Sequence, residues 1–243
     1  MTYCVGLLLR DGLVFAADSR TNAGMDHIFT FRKLTIFEKP GERFMALLTA
    51  GNLATSQAVT TLVSERLDEG TEDTSLYKAT SMFSAARIVG NALREVVEVD
   101  GDHVRAESAD PTSSFILGGQ IAGRPTRLFQ IYSAGNFVEA TPETPFVQIG
   151  EPKYGKPILD RVVSYDMPLE RGAKAALVSF DSTMRSNLSV GLPLDLVIYR
   201  ADSLGGAHHR DIGEDNVYFR ALRRDYGAGL LDVFDGLADP EIG

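Results

Sequence analysis

Two short apolar runs lie near the start of the chain, over residues 5–9 and 13–17, and Asp11-Gly12 separates them. Asp-Gly between two such runs is a strong signal for a β-hairpin, because glycine adopts positive φ angles at no steric cost. The pattern predicts a buried hairpin whose second strand ends at Asp18.

Further along the chain, strand-like and helical patterns follow one another in blocks. Strands are predicted over residues 33–37, 44–49, 114–117, 128–132, 146–149, 194–199 and 208–212. Helices, with apolar residues recurring at helical spacing, are predicted over 52–70, 77–97, 154–163, 169–184 and 216–226. Asp100-Gly101-Asp102 is expected to break the second helix, and the tail after Asp235 is expected to fray.

The order of these blocks is strands, two helices, strands, two helices and strands. It indicates two antiparallel sheets packed face to face, with helices on the outside. We therefore expect an α+β fold, a four-layer αββα sandwich. The length suits one domain over 1–243, in which 213–243 form a C-terminal helical extension and tail.

Composition narrows the functional classes. Apolar residues make up 44% of the chain, enough for a substantial core, and the net charge of −9 argues against nucleic acid as the main partner. The start lacks the character of a signal peptide, and no apolar run approaches the ~20 residues that span a membrane, so a cytoplasmic location is expected. The single cysteine, Cys4, excludes an intrachain disulfide and is expected to be a small core residue.

Four residues are candidates for catalysis. Thr2 has little meaning alone, because small second residues are common. Asp18 ends the predicted hairpin, Lys33 begins the next strand, and Gly51 stands at a strand-to-helix transition, where a backbone N–H is a natural oxyanion donor. Each has an ordinary alternative: a turn former, a solvated strand-edge lysine and a helix-start glycine. Together they favour an active site, because all would share one end of one sheet.

A family resemblance supports this interpretation. The hairpin, the segment Asp18-Ser19-Arg20, Lys33 and the Ala50-Gly51 turn resemble proteasome-type β subunits of the N-terminal nucleophile hydrolases. The pattern is similar to the bacterial proteasome relatives HslV and, more closely, Anbu. The resemblance is specific over roughly residues 2–60, and the segment 184–191 extends it.

The resemblance implies a role for each candidate. Removal of Met1 would expose Thr2, whose Oγ1 attacks the substrate carbonyl while its free α-amine acts as the general base. That amine has a reference pKa of about 7.7–8.0, and a nearby Lys33 cation would lower it. Asp18 would hold Lys33 in place, and the Gly51 N–H would bind the oxyanion.

Supporting residues follow from the same resemblance, with two departures. Arg20 belongs to the supporting set, and Ser189 matches a serine that supports the terminal amine in the family. Ser186 stands where many proteasome β subunits carry an aspartate. Glu151 stands where they carry a serine between two glycines. Together, the two departures change both the charge and the hydrogen bonding around the amine.

The expected function is that of a threonine-type amide hydrolase, a proteasome-like peptidase acting on peptides or small amides. A catalytically weak or silent assembly subunit is the alternative, and an acylase of the same superfamily is a third.

We expect no cofactor and no metal, since His208 and His209 are adjacent strand residues that face opposite sides. A homo-oligomer, ring or helical, is expected. The 77–97 helix and the C-terminal helix are candidates for subunit contacts, with simple packing in the outer layer as the alternative. No docking tail for an ATPase unfoldase is evident.

Overall fold

Two five-stranded antiparallel sheets form the centre of the computed structural model, which describes residues 2–22 and 28–242. The first sheet contains, in spatial order, β10, β1, β2, β11 and β12 (Phe146–Gly150, Tyr3–Leu9, Gly12–Asp18, Leu194–Arg200 and His208–Ile212). The second contains β5, β6, β7, β8 and β9 (Leu34–Lys39, Arg43–Gly51, Ser113–Ile121, Arg127–Ile131 and Phe137–Glu139). A separate two-stranded ribbon pairs β3 with β4 (Arg20–Asn22 and Ile28–Thr30).

The opening hairpin is confirmed. Leu9 pairs with Gly12, so the two turn residues are Arg10 and Asp11, one position before the predicted Asp11-Gly12, and β2 ends at Asp18 as predicted. Every residue of both strands is buried, because β1 and β2 lie in the middle of the first sheet with packing on both faces.

Helices cover the outer face of each sheet, which completes the four layers. Helices α1 and α2 (Leu53–Glu69 and Met82–Ala106) pack on the second sheet, and α3, α4 and α5 (Lys156–Val162, Leu169–Ser186 and Val217–Asp235) lie on the side of the first. A third apolar cluster fills the space between the sheets, and it contains Cys4, Phe15, Phe44 and Ile116. The predicted α+β sandwich and the buried Cys4 are therefore confirmed.

The second helix differs from its prediction at both ends. It begins at Met82 because Ser81 forms a capping box with Ser84, and residues 76–78 form a turn before it. It does not break at Asp100-Gly101-Asp102. Gly101 is buried inside the helix, where the cost of an internal glycine, about 1 kcal/mol, is small beside the packing of a 25-residue amphipathic helix.

The other differences are smaller. Helix α5 continues to Asp235, well past the predicted end at residue 226, while α3 begins two residues late. The strands β3, β4 and β9 were not predicted, because three residues are too few to show a period of two. Residues 236–242 form no helix or strand, and Gly243 lies outside the described residues. Among the described helices, none combines the length and apolar character needed to cross a membrane.

Candidate functional site

A buried ion pair joins the two sheets at one end of the sandwich. Lys33, which immediately precedes β5, places Nζ 2.9 Å from Oδ1 of Asp18, the last residue of β2. The same ammonium donates a 2.6 Å hydrogen bond to the carbonyl oxygen of Arg20. Lys33 is 5% exposed and Asp18 is fully buried, so the pair is shielded from water and its geometry is fixed.

The electrostatics of Asp18 reflect this burial. Removal from water raises the pKa of the Asp18 carboxyl above its ordinary value, while the charge and hydrogen bond of Lys33 act in the opposite direction. Oδ1 accepts from Lys33 and from the backbone N–H of Tyr3 at 3.0 Å. Oδ2 is buried and has no hydrogen-bond partner among the residues that the structure describes. The carboxylate thus links Lys33 directly to the residue that follows Thr2.

Thr2 is half-buried and is held by the end of strand β10. Its carbonyl oxygen accepts a 2.8 Å hydrogen bond from the backbone N–H of Glu151. Gly150 has a φ of +86°, and a Cβ at this position would lie 1.9 Å from the Thr2 carbonyl oxygen. Only glycine permits this approach. Met1, whose removal the sequence-based mechanism requires, lies outside the described residues.

Tyr3 anchors the chain immediately after Thr2. Its hydroxyl donates to Ser179 Oγ at 3.1 Å and accepts from Gln148 Nε2 at 2.6 Å, and its ring packs on Phe180. Burial raises the pKa of Tyr3 to about 12, despite the two hydrogen bonds, which act to lower it. The first residues of β1 are therefore fixed at side chain and backbone.

Gly51 lies at the same end, as the last residue of β6. The N–H of Thr49 donates to the carbonyl of Lys33, and the N–H of Asn52 donates to Thr112 on the opposite side. Because N–H groups alternate in direction along a strand, the Gly51 N–H faces the Lys33 side. Its φ of +115° lies where glycine is favoured, and Asn52 caps α1 directly after it.

Arg20 connects the ion pair to the loop that follows α4. Its carbonyl accepts from Lys33, and its Nη1 donates a 3.1 Å hydrogen bond to the carbonyl oxygen of Leu188. The guanidinium also lies against Gly191, where a Cβ would approach Arg20 Cζ to 2.4 Å. Arg20 therefore holds this loop close to Lys33.

The two candidate serines occupy different environments. Ser186 is the last residue of α4 and is exposed, whereas Ser189 is half-buried and its N–H donates to Asn187 Oδ1 at 3.0 Å. Asn187 is buried and donates through Nδ2 to Glu151 Oε2 at 3.3 Å. The structure therefore brings Asn187, and not Ser186, to Glu151. Asn187 was missed, although an asparagine two residues before a serine is typical of an Asx turn.

A second group of polar side chains was also missed. Asp195, on β11, is buried and receives hydrogen bonds from Ser19 Oγ at 3.2 Å and Arg32 Nη1 at 3.2 Å, and His209 Nε2 lies 2.8 Å from it. A charged residue within the apolar run Leu194-Asp195-Leu196-Val197 was the available signal.

Asp195, His209 and Asp211 place ligand-type atoms within 4.8 Å of one another, and His208 does not belong to this group. Arg32 donates to both carboxylates, with Nη2 at 3.0 and 2.9 Å from the two oxygens of Asp211. The guanidinium takes the place that a cation would occupy, so the arrangement is a salt-bridge network.

A cavity of about 290 Å³ opens beside this end of the second sheet, between β5, β6 and α1. Thr49, whose N–H bonds the Lys33 carbonyl, contributes to its wall, as does Arg32. Most of the remaining wall carries hydroxyl or amide groups: Thr35, Ser56, Gln57, Thr60 and Thr61.

Solved structures with the same fold identify the family. A scan of protein-family models and a search of curated proteins gave no match. Anbu (ancestral beta-subunit) from Yersinia bercovieri is 50% identical over 99% of both chains, with a TM-score of 0.92. The Anbu complex from Pseudomonas aeruginosa, described as a helical assembly, is 53% identical over 98% of both chains, also with a TM-score of 0.92.

A Gly-1 mutant of Anbu from Hyphomicrobium sp. strain MC1 is 50% identical over the full length of both chains, with a TM-score of 0.92. Sequence identity of 50–53% over nearly the whole chain indicates common descent and not only a shared fold. The chain therefore belongs to the Anbu (ancestral beta-subunit) family of proteasome-related proteins.

Proposed function

We propose that this chain is a threonine-type N-terminal nucleophile hydrolase that cleaves amide bonds in peptides or small amides. One observation carries the proposal: a single oxygen of Asp18 binds both Lys33 Nζ and the backbone N–H of Tyr3, next to Thr2. A buried lysine–carboxylate pair beside a residue that can become N-terminal suits activation of its hydroxyl.

The proposed reaction begins once Met1 is removed. The α-amine of Thr2 takes the proton from Oγ1, which attacks the substrate carbonyl, and the resulting oxyanion is stabilised by the Gly51 N–H. The amine then gives its proton to the leaving nitrogen, which departs and leaves an ester on Oγ1. Water, deprotonated by the same amine, hydrolyses this ester and restores Thr2.

Lys33 has an electrostatic role in this proposal. Its positive charge lowers the pKa of the neighbouring α-amine, which keeps more of the amine unprotonated near pH 7. Asp18 and the Arg20 carbonyl fix the ammonium. Ser189 is proposed to support the amine, while the exposed Ser186 would contribute only indirectly.

The chain is also proposed to assemble with copies of itself. The related Anbu complex of Pseudomonas aeruginosa is a helical assembly. The end of α5 exposes a row of apolar side chains next to a groove of about 730 Å³ between α3, α4 and α5. These side chains are 52–71% exposed, namely Leu230, Leu231, Val233 and Phe234. Such a patch typically marks an interaction surface. On α2, the other helix predicted for subunit contacts, the exposed apolar residues are Phe83 and Val99.

A second candidate function is a silent assembly subunit. The observation that favours it is the buried carboxylate of Glu151, whose N–H binds the Thr2 carbonyl. A negative charge close to the α-amine would hold it protonated and so weaken the general base.

The decisive experiment prepares the chain in two forms, one that begins at Thr2 and one that keeps Met1, both checked by intact mass. Each form, with the Thr2→Ala variant, is tested on fluorogenic peptide amides and with a peptide electrophile that acylates N-terminal threonines. We expect turnover and a mass increase on Thr2 only in the processed wild type, with unchanged assembly in Thr2→Ala. Turnover by the Met1-retaining form would exclude the terminal amine as the base. An inert processed form would favour the silent subunit.

A further inference from the structure

Asp195 is a buried carboxylate that has no assigned role in the proposed reaction. It lies on β11, is 1% exposed, and pairs in register with Ala17 of β2, one residue before Asp18. Ionised groups are rarely placed at such positions, because burial without partners costs several kcal/mol. Its two oxygens are instead fully engaged by neighbouring side chains.

The partners of Asp195 flank the ion pair. Oδ2 accepts from Ser19 Oγ, and Ser19 directly follows Asp18. Oδ1 accepts from Arg32 Nη1, and Arg32 directly precedes Lys33. A single carboxylate therefore contacts the sequence neighbour of each member of the ion pair.

We propose that Asp195 is a positioning residue that sets the separation of Asp18 and Lys33 by fastening Ser19 and Arg32 to strand β11. This inference rests on the proposed function, because the pair that it positions is the one assigned to activation of Thr2.

Backbone hydrogen bonds explain why this fastening matters. The chain leaves β2 at Ser19 and returns to β5 after Arg32. The Ser19 N–H donates to Pro193 at 2.9 Å, and its carbonyl accepts from Phe31 at 2.7 Å. The two ends of this excursion thus meet beside Asp195, and the excursion carries the Arg20 carbonyl that binds Lys33.

The other charges around Asp195 are weaker anchors. Arg32 also binds Asp211, but these side chains are 57% and 62% exposed, and exposed pairs contribute little because water screens them. His209 Nε2 contacts Asp195 from the solvent side. Asp195, unlike Asp211, is itself buried, and its contact with Ser19 is buried while its contact with Arg32 is partly buried, so Asp195 should control the geometry of the pair.

The test compares Asp195→Asn with two matched controls in protein that begins at Thr2. Asp211→Asn removes the exposed carboxylate of the same arginine, and Asp181→Asn alters another buried aspartate, which pairs with Arg185 and Arg223. Kinetics on a fluorogenic peptide amide and hydrogen exchange at the Ser19 and Phe31 amides are measured for each. Asp195→Asn should lower kcat by about 10- to 100-fold with KM nearly unchanged, the loss expected when a catalytic group moves by about 1 Å.

In the same variant, the Ser19 and Phe31 amides should exchange about tenfold faster, and the two controls should match the wild type. Ser19→Ala should show a smaller kcat loss that Ser19→Thr restores, because threonine keeps the hydroxyl. Should Asp195→Asn fail to fold, the comparison of Ser19→Ala with Ser19→Thr decides whether the inference holds.

Unchanged exchange or unchanged kcat in Asp195→Asn would overturn the inference, as would a loss confined to KM. If the wild type neither turns over substrate nor reacts at Thr2, the proposed function fails separately, and the exchange rates alone decide whether Asp195 fastens the two segments.

Discussion

The backbone N–H of Glu151 donates a 2.8 Å hydrogen bond to the carbonyl oxygen of Thr2, the candidate nucleophile, and the side-chain carboxyl of Glu151 is buried. Asn187 binds one oxygen of that carboxyl. The other oxygen, Oε1, is buried without a hydrogen bond among the described residues, and Lys153 Nζ lies 3.9 Å from it. The carboxyl of Glu151 is therefore a buried acidic group on the same residue whose backbone N–H holds the Thr2 carbonyl.

Glu151→Gln tests whether a negative charge on the Glu151 side chain acts on the α-amine of Thr2. The substitution keeps the shape and the contact with Asn187 but removes the negative charge, which should lower the pKa of the Thr2 α-amine. Because the amine acts as a base when unprotonated, the acid limb of the pH profile of kcat/KM should move to lower pH by about one unit. Full pH–rate profiles of both proteins check this.

The control for Glu151 is Glu143→Gln, which removes an exposed carboxylate elsewhere on the surface. It should leave the profile in place. An acid limb that does not move in Glu151→Gln, or that moves equally in the control, would show that Glu151 does not influence the amine.

Lys33→Ala should affect both catalysis and stability. Without the ammonium, the α-amine loses the charge that lowers its pKa, so kcat should fall by at least about 100-fold while KM changes little. The variant also leaves Asp18 buried without its cation, which should lower the free energy of unfolding by about 3–5 kcal/mol.

A double variant separates these two effects. Lys33→Met with Asp18→Asn replaces the ion pair by uncharged groups of similar size, so it should recover much of the lost stability but none of the activity. Chemical denaturation and steady-state kinetics measure both. A fall in kcat/KM that lies entirely in KM would assign Lys33 to substrate binding instead.

The positions of several candidate residues could be predicted from sequence where local patterns fix them. The hairpin around Asp11-Gly12 places Asp18 at a strand end, and the strand after Lys33 brings that side chain to the same end. Gly51 followed from the strand-to-helix transition. These assignments depend on short segments whose geometry is set by neighbours in sequence.

Other parts of the site depend on contacts between distant segments, and these were not predictable. Asn187 meets Glu151 across 36 residues, and Asp195 meets Ser19 across 176. Family resemblance made Ser186 a candidate supporting residue, yet it lies at the end of α4 and is exposed to solvent. The register of β11 against β2, which places Asp195 beside Ala17, is set by tertiary packing.

Tyr3 predicts a specific loss of stability at alkaline pH. Burial raises the pKa of Tyr3 from 10.0 to about 12, so between these values the unfolded chain loses a proton that the folded chain keeps. The folded state binds more protons in this window, and stability therefore falls as pH rises from about 10 to about 12. The slope attributable to Tyr3 is about 1.4 kcal/mol per pH unit.

The comparison with Tyr3→Phe isolates this slope from the other groups that titrate at alkaline pH. Denaturation curves between pH 9 and 11.5 should show a shallower loss of stability in Tyr3→Phe than in the wild type. At pH 8 the variant should be less stable by about 1–3 kcal/mol, because Gln148 Nε2 loses its acceptor. Parallel pH dependences in the two proteins would contradict the assignment.

The apolar end of α5 leads to a prediction about assembly. Leu231 and Phe234 are 64% and 71% exposed, so replacing both by aspartate removes little packing within one chain and should change its stability by less than about 1 kcal/mol. If these side chains are buried between copies, each substitution should weaken association by at least about tenfold, because burying such a side chain contributes about 1.5–3 kcal/mol. Sedimentation velocity at several concentrations measures the shift to smaller species.

Val99→Asp is the control, since Val99 is 66% exposed on α2, and it should leave assembly unchanged unless that helix forms the contact. A wild-type size distribution for the α5 variant, together with dissociation of Val99→Asp, would assign the interface to α2.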